Sequence, residues 1–531
     1  MRSSFFEFHV ATAGMHTARH GARVAGHNMA NIATPGFSRQ VALQQASTPL
    51  PTFNRTGMVG TGSEIIGINQ IRNVHLDNRF WNENPILGRQ STRFTQLYTL
   101  ETGFGEMDGV GFTNSFDRFF ASLQNLTTEP SSAIIRNSFL QEINAMTRTI
   151  NDRALALRRQ QEDINREIRG LVTMMNTLGE QIANLNVQIV NAEIRGDRAN
   201  DLRDRRAVLI DELSSYINLQ VTERHVNGID MFFVHIDGQE FVRHDLVMNI
   251  ETRIRDVPNH PHDARGLYDL FFNGFPFNSS SLTQSGQLRG LLEARDGNST
   301  RVNGQLGGEH VTIDFRGIPY YLDRLNSMVR TIANAFNFGI DIHGDPIPHF
   351  LAGDPPEARG HVHGYAADGT FSGIPLFVFI DPDGNPIYDP DVHNIDHMTI
   401  FNFALNPAIR DNPERLATSL TSDLGVDDNS LLMAFVEVRN YPSLFREGTV
   451  MDFLNSVMAE LAMDLQDAGN FLESQSDVME LIQNQRLQVK GVSMDEEMTS
   501  LLMFQHHFQA SARLITVIDT IYDTMINRMG A

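Results

Sequence analysis

The 531-residue chain has no cysteine, one tryptophan and one lysine, Lys490. Without cysteine there is no disulfide, no thiolate metal ligand and no thiol nucleophile. Basic residues also fall short of acidic ones, 42 against 64, for a formal net charge of −22. That sign lacks the broad basic footprint that phosphate backbones demand, so no nucleic acid partner is expected. Long apolar runs are missing too. The longest, Ile374-Pro-Leu-Phe-Val-Phe-Ile380, has the length of a strand, so membrane insertion is not expected. Near the N-terminus, Arg2 with Phe5, Phe6 and Phe8 sketches a secretory signal. Glu7 and His9 interrupt it, and cleavage is not expected.

Helical periodicity is abundant. At roughly 100–200 residues per domain the chain holds about three or four units. Phe8, Ala11, Met15, Ala18, Ala22, Ala25 and Met29 are spaced 3,4,3,4,3,4. They predict a helix over about 4–30 with a small-residue seam that a partner approaches closely. Pro35 and Gly36 then stop it. At the other end, Leu501, Phe504, Phe508, Ser511, Ile515, Ile518, Tyr522, Met525 and Met529 repeat the pattern, and Ala510, Leu514, Val517 and Ile521 form a second stripe. A helix apolar on two faces must be covered on two sides. The N-terminal helix is one candidate cover. The pattern leaves open whether the other is a neighbouring subunit or simply the core of a monomer.

Between the ends, Ile150, Ala154, Leu157, Gln161, Ile164, Ile168, Leu171, Met175, Leu178, Ile182, Leu185, Ile189 and Ala192 keep a heptad. At 1.5 Å per residue that helix would be about 60 Å long. Further helices are predicted over 198–217, 285–295, 322–336 and 454–489. Residues 219–284 and 340–405 have strand and turn chemistry, and 38–75 is extended with turns at Gly57, Gly60 and Gly62. The expected fold is mainly α with inserted β modules. It is an elongated multidomain rod in which terminal helices pair as a coiled coil, the body is an antiparallel helical bundle and the β domains are distal. The expected units are 1–80 with 490–531 (terminal assembly domain), 81–218 with 285–340 and 406–489 (helical body), 219–284 (first β module) and 341–405 (second).

Catalytic chemistry finds little support. No P-loop or GxSxG elbow occurs. His361, His363, His393 and His397, with His343 and His349 nearby, raise the alternative of a metal-dependent enzyme built on the His-rich insertion. Position 394 is Asn where a zinc protease motif has Glu, and loop histidines are the plainer reading. Asp381, Asp383, Asn385 and Asp389 echo a calcium loop, but Pro386 and Val392 stand where Gly and Glu are needed, so a turn is expected. The charged cluster 200–206 reads as a solvated helix face or a subunit contact. No catalytic residue, metal or cofactor is expected.

The segment His27-Asn-Met-Ala-Asn-Ile-Ala-Thr-Pro-Gly-Phe-Ser-Arg-Gln40 resembles the signature of bacterial flagellar rod, hook and hook-associated proteins. Asn28, Asn31, Thr34, Gly36, Phe37 and Arg39 match it, while His27 and Met29 depart from it mildly. The C-terminal stretch from Gly491 through Met498 and on to Met529 resembles the terminal assembly helix of the same proteins. The long central helix, residues 200–213 and residues 285–296 resemble the hook-associated protein 1 family within that group. This resemblance implies a structural protein secreted through the flagellar type III channel with an export chaperone. It implies a homo-oligomeric ring at the extracellular junction between hook and filament, touching the hook protein and the second hook-associated protein. On this reading the assembly interface comprises the N-terminal seam named above and, on the C-terminal helix, Leu501, Phe504, Phe508, Ile515, Ile518, Tyr522 and Met525. A hook or distal-rod protein is the alternative within the same class.

Overall fold

The computed structural model describes all residues except 1–5, 52–56, 105–110, 195, 197, 227–228, 278–284, 299–314, 354–355, 382, 384, 388–394, 396, 423–426 and 529–531. His393, Asp389 and Met529 therefore lie outside the described residues. Helix α1 (Phe6–Ala30) leads through a tight turn, in which Gly36 has φ +78°, into a hairpin. The hairpin pairs β1 (Gln40–Ala46) with β4 (Ser63–Gln70) antiparallel and carries the short β2 (Leu50–Pro51) and β3 (Met58–Val59) beyond it.

The body begins with α2 (Val74–Phe104), α3 (Phe112–Thr128) and α4 (Ala133–Glu193). Helix α4 has 61 residues, about 90 Å at 1.5 Å each, because helical sequence continues upstream of Ile150 back to Ser132. Its buried stripe follows the expected seam from Ile150 to Ile168 and then drifts. Val172 and Asn186 are buried where Leu171 and Leu185 were expected, and Ala192 is exposed. An α-helix that is not supercoiled turns 3.6 residues per turn and slips off a strict heptad. Helix α5 (Asn200–Tyr216) follows.

The first β module is an antiparallel four-strand meander, β5 (Leu219–Val226), β6 (Ile229–Ile236), β7 (Gln239–Arg243) and β8 (Leu246–Val247). Asp237 and Gly238 make its turn with φ of +52° and +74°, the conformation a two-residue hairpin needs. A three-strand sheet of β9 (Ile250–Ile254), β10 (Tyr268–Phe272) and β11 (Phe275–Pro276) completes it.

Side-chain amides on α4 fasten this module. Asn176 bonds both N and O of Ile250 at 2.9 Å, Asn165 and Gln161 accept from Tyr268 N and Ala264 N, and Asn186 donates to His244 O. Gln161, the polar intruder in the seam, is thus a backbone partner for a loop that would otherwise be unpaired.

Helices α6 (Gln287–Asp296) and α7 (Ile318–Phe338) return to the body. The second module consists of two-stranded ribbons and one three-strand sheet: β12 (Leu351–Ala352) with β13 (Glu357–Ala358), β14 (Tyr365–Ala366) with a later strand, and β15 (Phe377–Ile380) between β16 (Pro386–Ile387) and β17 (Phe403–Leu405). The partner of β14 is β18 (Ala417–Ser419), which follows the short α8 (Pro407–Arg410). Phe377 stacks on Phe403 at 4.8 Å, and Phe336 of α7 meets Phe377 edge-on. The chain closes with α9 (Ser430–Glu437), α10 (Val450–Lys490) and α11 (Met494–Asp523). One continuous apolar core joins body and modules. The modules sit at different levels of α4 rather than together at one pole: the first flanks Gly179 and Asn186, the second Asn151 and Arg158.

A candidate assembly site: the terminal helix pair and its clasp

Helices α1 and α11 pack on each other antiparallel within one chain. A Cβ added at Gly14 would meet Ser511 at 3.1 Å, one at Gly21 would meet Phe504 at 2.4 Å, and Asn28 bonds Glu497 at 3.1 Å. Each step of seven along α1 is therefore answered by seven back along α11. The buried line on α1 is Ala11, Ala18, Gly21, Ala25 and Asn28. Three of these, Ala11, Ala18 and Ala25, are among the expected seam residues. Met15, Ala22 and Met29 are half-buried and Phe8 is exposed, because glycines take the alternate positions and let α11 come closer than a side chain allows.

On α11, Leu501, Phe504, Phe508, Ser511, Ile515 and Tyr522 are half-buried and Ile518 is buried, all along the line facing α1. Met525 is exposed. The second stripe is open: Leu514, Val517 and Ile521 are 47%, 53% and 48% exposed, with the exposed Met503 continuing it upstream.

The turn after α1 is a clasp of three chain segments. Asn28 is 1% exposed; its Nδ2 donates to Gln40 O and Glu497 Oε2, and its Oδ1 accepts from Gln40 N at 3.0 Å. Asn31 Nδ2 donates to His27 O, and its Oδ1 accepts from Thr34 Oγ1. Phe37 packs edge-on against His27 at 5.5 Å. Gly36 lies so close to Val208 of α5 that a Cβ would come within 2.1 Å of it. Arg39 donates from Nε to Glu497 at 2.6 Å and from a terminal nitrogen to Glu496 at 2.8 Å, while its backbone N donates to Lys490 O. Both carboxylates lie in the first turn of α11, where the helix dipole also favours them.

The start of α5 is the third jaw. Ser38 donates from N and Oγ to Asp204 at 2.8 and 2.7 Å, Gln40 Nε2 donates to Asp201, and Asn200 donates to Ile68 O. The cluster 200–206 is therefore not a simple solvated face: Asn200, Asp204 and Arg206 are buried in contacts within the chain. Burial holds the Asp204 carboxyl above the usual range against the Ser38 hydrogen bonds, and burial pushes Arg206 down to about 10. Just beneath, Arg486 binds Asp77 and Asp211, and Trp81 Nε1 donates to Asp211 at 2.7 Å. Burial, then Arg486, lowers the pKa of Lys490. Sequence reasoning missed Ser38 and Gln40, and although it singled out the cluster 200–206 and the stretch 491–498, it did not foresee the contacts that Asn200, Asp204, Glu496 and Glu497 make within the chain. The available signal was a charge cluster that shares its helix with Ala207, Ile210 and Leu213 on the buried side.

The metal candidates separate. His361 is fully buried; Nδ1–H donates to Ile374 O at 2.8 Å and Nε2 accepts from Ala417 N at 3.1 Å. Both ring nitrogens are engaged by backbone, which gives this imidazole a structural task. Asp381 accepts from Asn385 N and Nδ2, closing the β15–β16 turn. Among the described residues, no three His, Asp or Glu side chains converge on a metal position, and no helix is long and apolar enough to cross a membrane.

Residues 97–343 match the family described as flagellar hook-associated protein FlgK helical domain, and residues 480–529 match flagellar basal body rod FlgEFG protein C-terminal. Flagellar hook-associated protein 1 of Bacillus subtilis (strain 168) is 24% identical over 100% of this chain and 99% of its own. The proteins of that name from Escherichia coli (strain K12) and Salmonella typhimurium are 21% and 20% identical, covering 97% of this chain and 98% of theirs. Among solved structures, the flagellar hook junction protein FlgK from Burkholderia pseudomallei superposes with a TM-score of 0.57 at 12% identity, covering 78% of this chain and 100% of that one. Paired terminal helices on a long helical body with inserted β modules thus define a structural protein of the bacterial flagellum. Within that class the family the chain matches is flagellar hook-associated protein 1, by its helical domain over 97–343 and by relatives along its whole length.

Proposed function

We propose that this hook-associated protein forms the junction ring between flagellar hook and filament, after export through the flagellar type III channel with a dedicated chaperone. The observation that carries the assembly reading is the open stripe on α11. One apolar face is covered by α1, while Leu514, Val517 and Ile521 face solvent in the single chain. Copies packing side by side would cover it, and burying such side chains yields about 1.5–3 kcal/mol each. The open stripe supports self-association at the terminal pair. The relatives' names, which attach them to the hook, support the hook protein as one neighbour, and the proposal sets the second hook-associated protein on the opposite side. The absence of cysteine suits a chain threaded unfolded through a channel, since no disulfide can trap it. The mainly helical body favours this reading over the β-rich hook or distal-rod alternative.

The test is a gene deletion, scored by electron microscopy of cell surfaces and by flagellin in the medium. Hooks lacking filaments, with flagellin spilled outside, are expected. Missing hooks would move the protein to hook or rod, and intact filaments would overturn the proposal.

A further inference from the structure

Four histidines of α1, His9, His16, His20 and His27, recur at steps of seven, four and seven. At 3.6 residues per turn they fall within an arc of about 40°. That arc lies roughly opposite the α11 contact. His27 is used by the clasp, where it approaches Asp201 at 3.3 Å. His16 and His20 are exposed, and among the described residues neither imidazole has a hydrogen-bond partner. Both line one groove of about 810 Å³ between α1 and the β1–β4 hairpin. Glu64, which accepts from Gln45 at 2.9 Å, and Arg198 share that groove.

We propose that His16 and His20 form a two-imidazole site for a borderline divalent transition ion of the zinc class on the open side of the terminal pair. Side chains four apart on a helix have Cβ atoms about 5–6 Å apart and lean the same way, which suits chelation of one ion by two imidazoles. Water completes the coordination. An ion held across one turn bridges backbone that must separate when α1 unfolds, so it binds the closed helix and not the open one. At free metal ten times the dissociation constant, the closed state gains about elevenfold. The site does not depend on the junction role.

The experiment uses the full chain and Zn²⁺, with Mg²⁺ as a hard-ion control. Calorimetry counts zinc equivalents, and hydrogen exchange locates protection. Expected are one fewer zinc equivalent in His16→Ala/His20→Ala than in the parent, and an exchange slowing of about tenfold in α1 that either single substitution abolishes and His9→Ala leaves intact. Equal stoichiometry and protection in parent and double variant would overturn the proposal, as would no saturable zinc binding by the parent. Both histidines are exposed, so the variants fold, and unchanged far-ultraviolet dichroism checks this.

Discussion

Gly21 and Gly26 lie five residues apart on α1 and meet opposite surroundings. A Cβ on Gly26 finds nothing within 4 Å, whereas one on Gly21 falls 2.4–2.7 Å from three ring carbons of Phe504. Replacing a mid-helix glycine by alanine gains about 1 kcal/mol wherever space allows. Gly26→Ala should therefore slow amide exchange in α1 about fivefold, at 1.4 kcal/mol per tenfold. Gly21→Ala receives the same propensity gain but forces Phe504 or all of α11 outward. Overpacking costs roughly 1–3 kcal/mol, so the net effect runs from neutral to about 2 kcal/mol unfavourable. The two variants should thus differ by about 5- to 150-fold in α1 exchange. Native-state hydrogen exchange of the monomer measures this, with peptides from α4 as internal reference. If both substitutions protect α1 equally, Gly21 is not in a close seam and the antiparallel register is wrong.

Arg39→Ala leaves Glu497 buried with Asn28 as its remaining side-chain donor; it should cost the terminal pair about 1–3 kcal/mol, seen as faster exchange at the start of α11 with an unchanged melting transition of the body. Val517→Asp should leave monomer stability within about 0.5 kcal/mol yet abolish incorporation into the junction, whereas Ile515→Asp, on the line facing α1, should loosen the pair as well; normal incorporation of either variant into cells' flagella would remove the assembly argument. Burial pushes His361 and His262 down to about 4 in the folded chain; because the unfolded imidazoles take up protons below about 6.5, stability should be lost as pH falls from about 6.5 towards 4, by up to about 1.4 kcal/mol per unit for each. His361→Gln should be less stable at pH 7 but lose less across that window in pH-dependent thermal melts, and parallel losses in parent and variant would contradict the assignment.

Periodicity alone located α1, most of α4, α5, α6, α7, α10 and α11, but it predicted no helix over α2, α3, α8 or α9. The seams at both termini and along residues 150–192 have one period and long runs, and apolar residues at that spacing have no other way to leave water. The same logic located the β modules, since alternating residues and Asp237-Gly238 favour strands joined by a tight turn. The C-terminal face toward α1 was legible, because Phe504, Phe508, Ile515 and Ile518 are large. On α1 the pattern misled by one position in alternate turns: glycine counts as nothing in a hydrophobic tally, yet Gly14 and Gly21 set how near α11 comes.

Tertiary structure alone decided the clasp. Asn28 and Arg39 stand out in the sequence as motif residues, but Asp204 and Glu497 are far from them and from Ser38 along the chain, and only folding makes Asp204 the acceptor for Ser38 or sets Glu497 between Arg39 and Asn28. Hydrogen bonds are short-ranged and directional, so their partners depend on where each backbone stops, which local sequence does not encode. The same holds for Gln161, Asn165 and Asn176, polar residues on an apolar helix whose meaning appears only once the edge of a β module arrives beside them.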